Sequence, residues 1–365
     1  MKPKIIFFTS SLFNSDRGRG GIAELLYQLI PNMAAKYDVR VIALFGENEV
    51  CAPFKATIIQ NKYHHRPELD FFHKIKFWTI TSFYLTKYII NNFNNIKKAK
   101  IVSTSPGPSF ILPLFFKNIL IWENVSFFAK RKFIDHLRLF LCYIRNSFLI
   151  VPTRYEYESL KKRFFVPSVK YVPDWFNPCI EPKPRIKNNK KIKFMSAGML
   201  EERKGFDLLL KAIKLIPADK RFMFDFTIFG DGDQREKLKS LIVSLGIEDS
   251  VSLMGFVPNL NHYYNNFNAF ILSSRYEGFP LVMINALASG MPVIAFDCET
   301  GPRDIVISGH NGILVENGNI EEMAKAIMSF ALTLNEINYY ENCVGSSNKY
   351  SIENSLIHLD ELFTS

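Results

Sequence analysis

One glutamate, Glu277, lies in a turn between an apolar run at 269–272 and an apolar helical pattern that begins near Pro280. Proline suits a first helical turn because its missing N–H group is not needed there. The N–H groups of Phe279 and Leu281, at the positive end of the helix dipole, are expected to form an anion site. A carboxylate beside an anion site suits a phosphorylated sugar, with phosphates on the amides and a hydroxyl group on Glu277. The glycine of this turn is Gly278.

Two cations follow an earlier apolar run. Gly198 ends the run at 192–197, and Arg203 and Lys204 precede the next helical pattern. Lysine binds phosphate as a point charge, and arginine binds it through two parallel N–H donors of its guanidinium. These residues therefore predict a phosphate-binding turn, with an ordinary surface charge pair as the alternative.

Two further strand ends carry candidate backbone contacts. Gly230 follows the run at 224–229, and Val257 follows the run at 251–254. Backbone groups near Val257 could bind the edge of a nucleobase, and a simple strand-ending turn is an equally good interpretation. Asp231 and Asp233 have the spacing of a metal-binding pair, but a glycine-rich turn favours a local role, with Asp233 as a helix N-cap.

The N-terminal loop is rich in glycine and arginine. Gly20 and Gly21 follow the first apolar run and open a helical pattern, and Arg17 and Arg19 precede them. Glycines let a ligand approach the backbone closely, and a helix start favours phosphate. The spacing is not that of a dinucleotide fingerprint, so a phosphate-binding turn and a flexible turn remain open.

The cysteines and acidic residues predict neither disulfides nor a metal site. The five cysteines are scattered along the chain, which favours a reducing, cytosolic compartment. No other His/Cys/Asp/Glu group has ligand spacing. We therefore expect no metal and no cofactor. The uncharged runs contain prolines, glycines and polar residues, so no spanning helix is expected.

The elements that must position these residues alternate between strand-length apolar runs and helical patterns. Near-continuous Val/Ile/Phe runs predict parallel sheets that are buried on both faces. Two such sets predict an α/β protein with two doubly wound domains facing each other across a cleft. We predict domains at 1–178 and 191–340, a linker at 179–190 and a C-terminal helical segment at 341–365. The predicted strands are 5–9, 39–45, 57–59, 101–104, 118–122, 148–152, 192–197, 224–229, 251–254, 269–272, 293–296 and 312–315.

Charge is unevenly distributed along the chain. The formal net charge is +10, and residues 1–185 are strongly basic whereas the remainder is mildly acidic. Basic and aromatic residues interleave at 71–78 and 127–133, which favours contact with an anionic membrane surface. A solvated helix face and a nucleic-acid site are the alternatives, of which nucleic acid is the less favoured.

The motifs occur in an ordered series that resembles the family-4 glycosyltransferases. The resemblance is dense from about 192 to 330 and looser before it, where it includes Asn124. It implies a GT-B fold with two Rossmann-like domains, and transfer from a nucleotide-sugar with retention of configuration and without a metal. The motifs are, in order, Gly198-x-Leu200-x-x-Arg203-Lys204-Gly205, Phe229-Gly230-Asp231-Gly232, Gly255-Phe256-Val257, Glu277-Gly278-Phe279-Pro280, Gly290-x-Pro292-Val293-Ile294 and Gly309-x-Asn311-Gly312-x-Leu314-Val315.

The resemblance also implies roles. Lys204 and Arg203 would bind the diphosphate, Glu277 would bind the sugar hydroxyls, and Asn285 would bind the nucleotide ribose. Three positions depart from the family pattern: Asn285 replaces a glutamate, Met199 replaces a phosphate-binding arginine, and Asn124 takes the place of a histidine near the sugar.

The function implied is transfer of a hexose or N-acetylhexosamine from a UDP-sugar to a polyprenyl-diphosphate-linked glycan at the cytoplasmic face of the membrane. Surface polysaccharide such as O-antigen or capsule is the expected product. Two alternatives remain: a catalytically weak homologue that binds lipid or a partner protein, and a sugar-nucleotide epimerase on the same fold.

Overall fold

The computed structural model describes residues 2–12, 21–46, 54, 56–60, 71–123, 133–163, 166–177, 179–184, 191–334 and 337–364. The chain forms two compact units, one of Met1–Pro173 with Ser355–Ser365 and the other of Asp174–Asn354. The first unit thus ends before the expected residue 178. The segment predicted at 341–365 is divided between the two units. Each unit is described by itself below.

The described residues of the first unit form a parallel sheet. Its strands are β1 (Lys4–Leu12), β2 (Asp38–Gly46), β3 (Ala56–Gln60), β4 (Lys100–Ser103), β5 (Leu120–Trp122), β6 (Phe148–Val151) and β7 (Ser168–Tyr171). The strand order is β3-β2-β1-β4-β5-β6-β7. Apolar runs form these strands because helices cover both faces of the sheet, and the Phe7 and Phe8 side chains in β1 are fully buried.

Helices connect these strands. They are α1 (Gly21–Met33), α2 (Phe71–Ile96), α3 (Pro106–Phe115), α4 (Phe133–Ile144) and α5 (Arg154–Lys161). Helix α3 packs against both α2 and α4. A buried ion pair joins α4 to the end of β5, with Nη2 of Arg138 2.8 Å from Oε2 of Glu123.

The second unit contains another parallel sheet. Its strands are β8 (Ile192–Ala197), β9 (Phe224–Phe229), β10 (Val251–Gly255), β11 (Ala269–Leu272), β12 (Val293–Asp297) and β13 (Gly312–Glu316). The order is β10-β9-β8-β11-β12-β13. The order reverses between β8 and β11, and ligands of open α/β sheets bind beyond the carboxyl ends of strands at such a point.

Short and long helices cover this sheet. They are α6 (Phe206–Leu215), α7 (Ala218–Arg221), α8 (Arg235–Leu245), α9 (Leu281–Ala288), α10 (Pro302–Ile305), α11 (Ile320–Thr333) and α12 (Tyr339–Ser347). The final helix, α13 (Ile352–Thr364), begins in the second unit and continues into the first. In the first unit, the Ser355 hydroxyl of α13 donates to the carbonyl of Pro173 at 2.7 Å.

All twelve predicted strands are present, and β7 is an additional one. Its side chains alternate between exposed and half-buried, so its sequence lacks the continuous apolar run that identified the others. Among the described residues, no helix is long and apolar enough to cross a bilayer.

Candidate functional site

The turn that carries Glu277 connects β11 to α9 in the second unit. The helix begins at Leu281, and Pro280 is its N-cap with φ −79° and ψ 89°. The sequence instead predicts Pro280 within the first helical turn, so the helix begins one residue after the expected start. Proline fits the N-cap because its carbonyl accepts from the N–H of Met283 at 2.9 Å. Proline has no N–H group of its own that would require an acceptor there.

Glu277 is a buried carboxylate with three side-chain donors. Nζ of Lys204 lies 2.6 Å from Oε1, and Nη1 of Arg203 lies 3.0 Å from Oε2. The Ser274 hydroxyl also donates to Oε1 at 2.6 Å. The site therefore brings together the carboxylate and both cations that the sequence predicted.

The charge state of Glu277 is set by two opposing effects. Burial by itself raises the pKa of this carboxyl group, whereas the positive charges of Lys204 and then Arg203 lower it. The net result is a pKa below the ordinary value of 4.5. Glu277 is therefore ionised at neutral pH despite its burial.

The cations reach Glu277 because two loops are bonded to each other. Residues Glu202–Lys204 form a 3-10 turn after β8. The N–H of Arg275 donates to the carbonyl of Arg203 at 2.9 Å, and the Ser273 hydroxyl donates to the carbonyl of Lys204 at 3.0 Å. The loops that follow β8 and β11, the strands at the reversal of sheet order, are thus held in contact.

Gly205 makes this contact possible. It has φ +63°, and a β-carbon there would lie 2.0 Å from the carbonyl oxygen of Ser273. A residue with a side chain would have to separate the two loops. The glycine is therefore required both by its left-handed backbone and by the close approach.

A second close approach lies at the ends of β8 and β9. A β-carbon at Gly230, which has φ +129°, would lie 1.9 Å from the carbonyl oxygen of Gly198. The stem of Lys204 passes beside Gly198, where an added β-carbon would lie 3.3 Å from its Cε atom. Gly198, Gly230 and Lys204 are consequently neighbours.

Arg203 is held on a second carboxylate as well. Oε1 of Glu201 accepts from Nη2 of Arg203 at 2.6 Å and from its Nε at 3.0 Å. Burial alone lowers the pKa of the Arg203 guanidinium, but Glu277 and Glu201 raise it above its ordinary value. The guanidinium also lies over the ring of Tyr276, 5.8 Å from its centroid.

The residues after Glu277 are fixed by neighbouring segments. The Thr300 hydroxyl donates to the carbonyl of Glu277 in a short hydrogen bond. Phe279 is buried and meets the ring of Tyr350 edge to face, with centroids 5.5 Å apart. Gly278 and Leu281 are half-buried. The start of α9 is therefore anchored by apolar packing on one side.

Asn285 and Val257 have other partners. Oδ1 of Asn285, on α9, accepts from the N–H of Asn177 at 2.8 Å. Val257 packs against the hydrophobic core of the second unit. Within the described part of the chain, neither residue is hydrogen-bonded to Lys204 or Glu277, so their assignments to ribose and base stay predictions.

Several predicted site residues lie outside the described part of the chain. These are Arg17, Arg19, Gly20 and Asn124, whereas Gly21 is the first residue of α1. The side chains at 71–78 and the segment 127–132 are outside it too. Their proposed contacts with acceptor or membrane therefore remain predictions.

The acidic pair after β9 has only local roles in the structure. Oδ1 of Asp231 accepts from the N–H of Gly232 at 2.8 Å, and its Oδ2 lies 3.4 Å from Arg235. The prediction that Asp233 is the N-cap of α8 is wrong, because Gln234 occupies that position and makes no capping bond through its side chain. Within the described residues, no group of three His, Cys, Asp or Glu side chains could hold a metal ion.

Sequence reasoning did not assign Ser274, Glu201 or Thr300 to the site. Ser274 lies three residues before Glu277, and Glu201 lies two residues before Arg203. This closeness of polar residues in the sequence was the signal that could have identified them. Thr300 approaches from the loop after β12, and only the fold shows that it contacts the Glu277 carbonyl.

Residues 180–343 match the family model described as glycosyl transferases group 1. These matched residues lie within the second unit. The chain is also 33% identical, over 210 residues, to an uncharacterized glycosyltransferase of Haemophilus influenzae. That alignment covers 57% of this chain and 58% of the relative, so the two are matched over little more than half of each.

Solved structures of glycosyltransferases share the architecture of both units. TarM superposes with a TM-score of 0.82 at 16% identity, covering 100% of this chain and 99% of TarM. HepE of Anabaena, solved with UDP, has a TM-score of 0.77 at 14% identity and covers all of both chains. A mutant of TarM from S. aureus, solved with fondaparinux, alpha-GlcNAc-glycerol and UDP, has a TM-score of 0.68 at 23% identity over 78% of this chain and 59% of that one. At these identities the likeness shows the GT-B fold with its two Rossmann-like units.

Proposed function

We propose that the protein is a retaining glycosyltransferase that moves a hexose or N-acetylhexosamine from a UDP-sugar to a polyprenyl-diphosphate-linked glycan. One observation carries this proposal: the buried Glu277 carboxylate is held by Lys204 and Arg203 at the reversal point of the sheet in a group 1 unit. A glycan acceptor and surface polysaccharide as the product complete the proposal.

The charges of the site support the proposed binding of the donor. The diphosphate would bind Lys204 and Arg203, together with the free N–H groups of the first turn of α9. A pyrophosphate carries more negative charge than one carboxylate, so it would compete with Glu277 for both cations. Displacement would turn Glu277 toward the hydroxyl groups of the sugar. Because TarM and HepE were solved with UDP, uridine is the base we propose.

The chemistry needs stabilisation of a leaving diphosphate. As the bond between the sugar and the diphosphate breaks, negative charge grows on the phosphate oxygens. Fixed cations and amides that already point at these oxygens stabilise that charge without reorganisation. The acceptor oxygen would attack on the face that the diphosphate leaves, which retains the configuration. We propose no metal in this reaction, since Lys204 and Arg203 supply the positive charge.

The first half of the chain supports the proposed acceptor and location. Its basic character suits a phosphorylated lipid in an anionic membrane. We propose that the protein is cytoplasmic and peripheral, and that it acts at the inner face of the membrane.

A second candidate function is a catalytically weak homologue that binds a lipid or protein partner. Two observations favour it: Asn285 uses its side-chain oxygen on the Asn177 N–H, and Met199 leaves an exposed apolar side chain where the family pattern has a cation. Such a protein would bind a nucleotide weakly or not at all.

Thermal unfolding with a panel of nucleotides separates these candidates. UDP at a hundredfold excess over its Kd should stabilise a true donor site by about 2.7 kcal/mol. Lys204→Met should abolish the shift, while Lys191→Met is the matched control because Lys191 forms an exposed ion pair with Asp225 in the same unit. No shift with any UDP- or GDP-sugar, in a folded protein, would refute the proposed transferase.

Turnover provides the direct test. The protein should release UDP only when both a UDP-sugar and a lipid-linked glycan are present, and the product should keep the anomeric configuration of the donor. Equal turnover in wild type and Lys204→Met would refute the role of the cation. A product of inverted configuration would refute retention.

A further inference from the structure

Helix α2 has two apolar faces. One packs into the core of the first unit through Leu85, Ile89 and Ile96, which are at most 2% exposed. Between residues 80 and 90 the opposite face is also mainly apolar, at helical spacing, and lies open to solvent, whereas exposed Asn91 and Asn94 continue it as a polar face. Its exposed side chains are Ile80, Phe83, Tyr84 and Ile90, of which Phe83 and Ile90 are 62% and 61% exposed. An ordinary surface helix would be polar there.

Helix α4 repeats this arrangement. Its Leu139 and Cys142 side chains are buried, whereas a stripe on the other side is 40–51% exposed. The exposed residues of this stripe are Leu137, Phe140, Tyr143 and Ile144. Helix α3 lies between α2 and α4, contacts both, and carries the exposed Leu114.

The three helices form one layer. Each connects two parallel strands in the same direction across the sheet, and right-handed crossovers place such helices on one face. The outward stripes of α2 and α4 therefore point to the same side of the unit. We call these stripes the α2–α4 apolar face, defined by Ile80, Phe83, Tyr84, Ile90, Phe140 and Ile144. An exposed apolar surface of this extent marks an interaction site.

The charges along α2 and α3 have one sign. Residues 71–122 contain seven lysines and no aspartate or glutamate. Lys87 lies within the exposed stripe of α2, and three more exposed lysines lie where α2 and α3 end, namely Lys97, Lys98 and Lys117. Nζ of Lys97 also lies 5.7 Å from the centroid of the Phe93 ring. The α2 side of the apolar face is therefore bordered by cations.

We propose that the α2–α4 apolar face is a membrane-docking surface that seats in the headgroup region of an anionic bilayer. The apolar side chains would enter the boundary between headgroups and acyl chains, and the bordering lysines would contact lipid phosphates. This proposal rests on the membrane-linked acceptor proposed above and names the surface that holds the protein beside it.

Charge decides between a bilayer and a second copy of the chain. Self-association through this face would bring the lysines of two copies together, and residues 71–122 supply no acidic side chain to pair with them. An anionic bilayer supplies the opposite charge across the whole surface. It also accepts an apolar stripe without a shaped partner groove.

Flotation with liposomes tests the surface without reference to catalysis. The full chain is mixed with vesicles of phosphatidylcholine alone or with phosphatidylglycerol added. Wild type should float with the anionic vesicles, and raised salt should weaken this binding. The triple variant Phe83→Ser/Ile90→Ser/Phe140→Ser should bind about tenfold or more weakly, because binding scales with the apolar area inserted.

The matched control changes exposed apolar side chains of the second unit. Val243→Ser/Leu332→Ser removes residues that are 64% and 75% exposed there, and it should float like wild type. A charge variant, Lys87→Glu/Lys97→Glu/Lys98→Glu, should lose the preference for anionic vesicles. Circular dichroism and thermal melting check that each variant is folded.

Three results would overturn the docking surface. They are equal flotation of the triple variant and wild type, no flotation of wild type with anionic vesicles, and a wild-type dimer that the triple variant converts to a monomer. The last result would assign the face to a second copy. Transfer to a soluble acceptor should be unchanged in the triple variant, so failure of docking and failure of the transferase proposal are distinguishable.

Discussion

Nζ of Lys204 lies 2.6 Å from Oε1 of Glu277, although 73 residues separate them in the chain. Their side chains are only 12% and 5% exposed. Lys204 lies in the loop that follows β8, and Glu277 lies in the loop that follows the adjacent strand β11. The two side chains are therefore in contact before any ligand binds.

Removing the charge of the Glu277 carboxylate should reduce turnover strongly while the protein still folds. Glu277→Gln keeps the size of the side chain but leaves Lys204 and Arg203 without their shared counter-charge. We expect turnover to fall about 10²–10³-fold, measured as UDP release with donor and acceptor present. Glu277→Ala should also destabilise the fold, by about 3–5 kcal/mol, because it leaves two cations at a buried site.

Glu236→Gln is the control for this change. Glu236 forms an exposed ion pair with Lys239, and its side chain is 79% exposed. Turnover and stability should both stay at wild-type values there. Wild-type turnover in Glu277→Gln would contradict the proposed contact with the donor sugar.

Replacing Gly205 should cost more than replacing Gly246. Both glycines are left-handed, with φ +63° and +61°, but a β-carbon at Gly246 meets nothing within 4 Å. Gly246→Ala should lower the free energy of unfolding by about 1 kcal/mol, because alanine is strained in the left-handed conformation. Gly205→Ala should lose several times more, since its β-carbon clashes with the Ser273 carbonyl. Urea unfolding measures both, and equal costs would show that the two loops separate freely.

Acid should remove the stabilisation that the Glu277 ion pairs provide. The pKa of Glu277 in the folded protein is lowered below its ordinary value of 4.5. Its contribution to the free energy of unfolding is therefore complete above pH 4.5 and is lost as the pH falls through the pKa of the folded state. The stability difference between wild type and Glu277→Gln should be largest at pH 7 and shrink below about pH 4.5. A difference that stays constant down to pH 3 would contradict this.

Thiol labelling should distinguish buried from exposed cysteines. Burial raises the pKa of Cys298 to about 12, and the charges of Glu277 and Asp297 add to this. Burial likewise raises the pKa of Cys142 to about 12. Because the thiolate is the reactive form, iodoacetamide at pH 8 should label exposed Cys179 in the native protein and leave Cys142 and Cys298 unmodified. Mass spectrometry of digested protein reads each site, and native labelling of Cys298 would contradict its burial.

The strands were predictable because buried parallel strands are nearly continuous apolar runs. The ends of β8, β9 and β11 match the predicted bounds, whereas β7 was missed because a half-exposed edge strand carries a weaker pattern. The same reasoning placed Lys204, Arg203 and Glu277 at the carboxyl edge of one sheet.

Other features depend on contacts between distant residues. The bond between Asn285 and the Asn177 N–H joins positions 108 residues apart, and no local pattern indicates it. The wrong assignment of Asp233 as an N-cap arose because Asp231 to Gln234 are all compatible with a turn, and the loop packing chooses the helix start. Likewise, the sequence indicated membrane contact only at 71–78 and 127–133, because the exposure of the apolar stripe farther along α2 depends on which face of the helix packs against the core.

Helix α13 has a consequence for biosynthesis. Its Asp360 carboxylate accepts from the hydroxyl of Tyr37 and from Nζ of Lys36, each at 2.8 Å, and Phe363 packs on the Tyr37 ring. The ribosome makes residues 36 and 37 early and residue 360 more than three hundred residues later. A nascent chain that has folded residues 1–173 therefore still exposes the patch around Tyr37, and chaperones or proteases can engage this patch until residue 360 has been made.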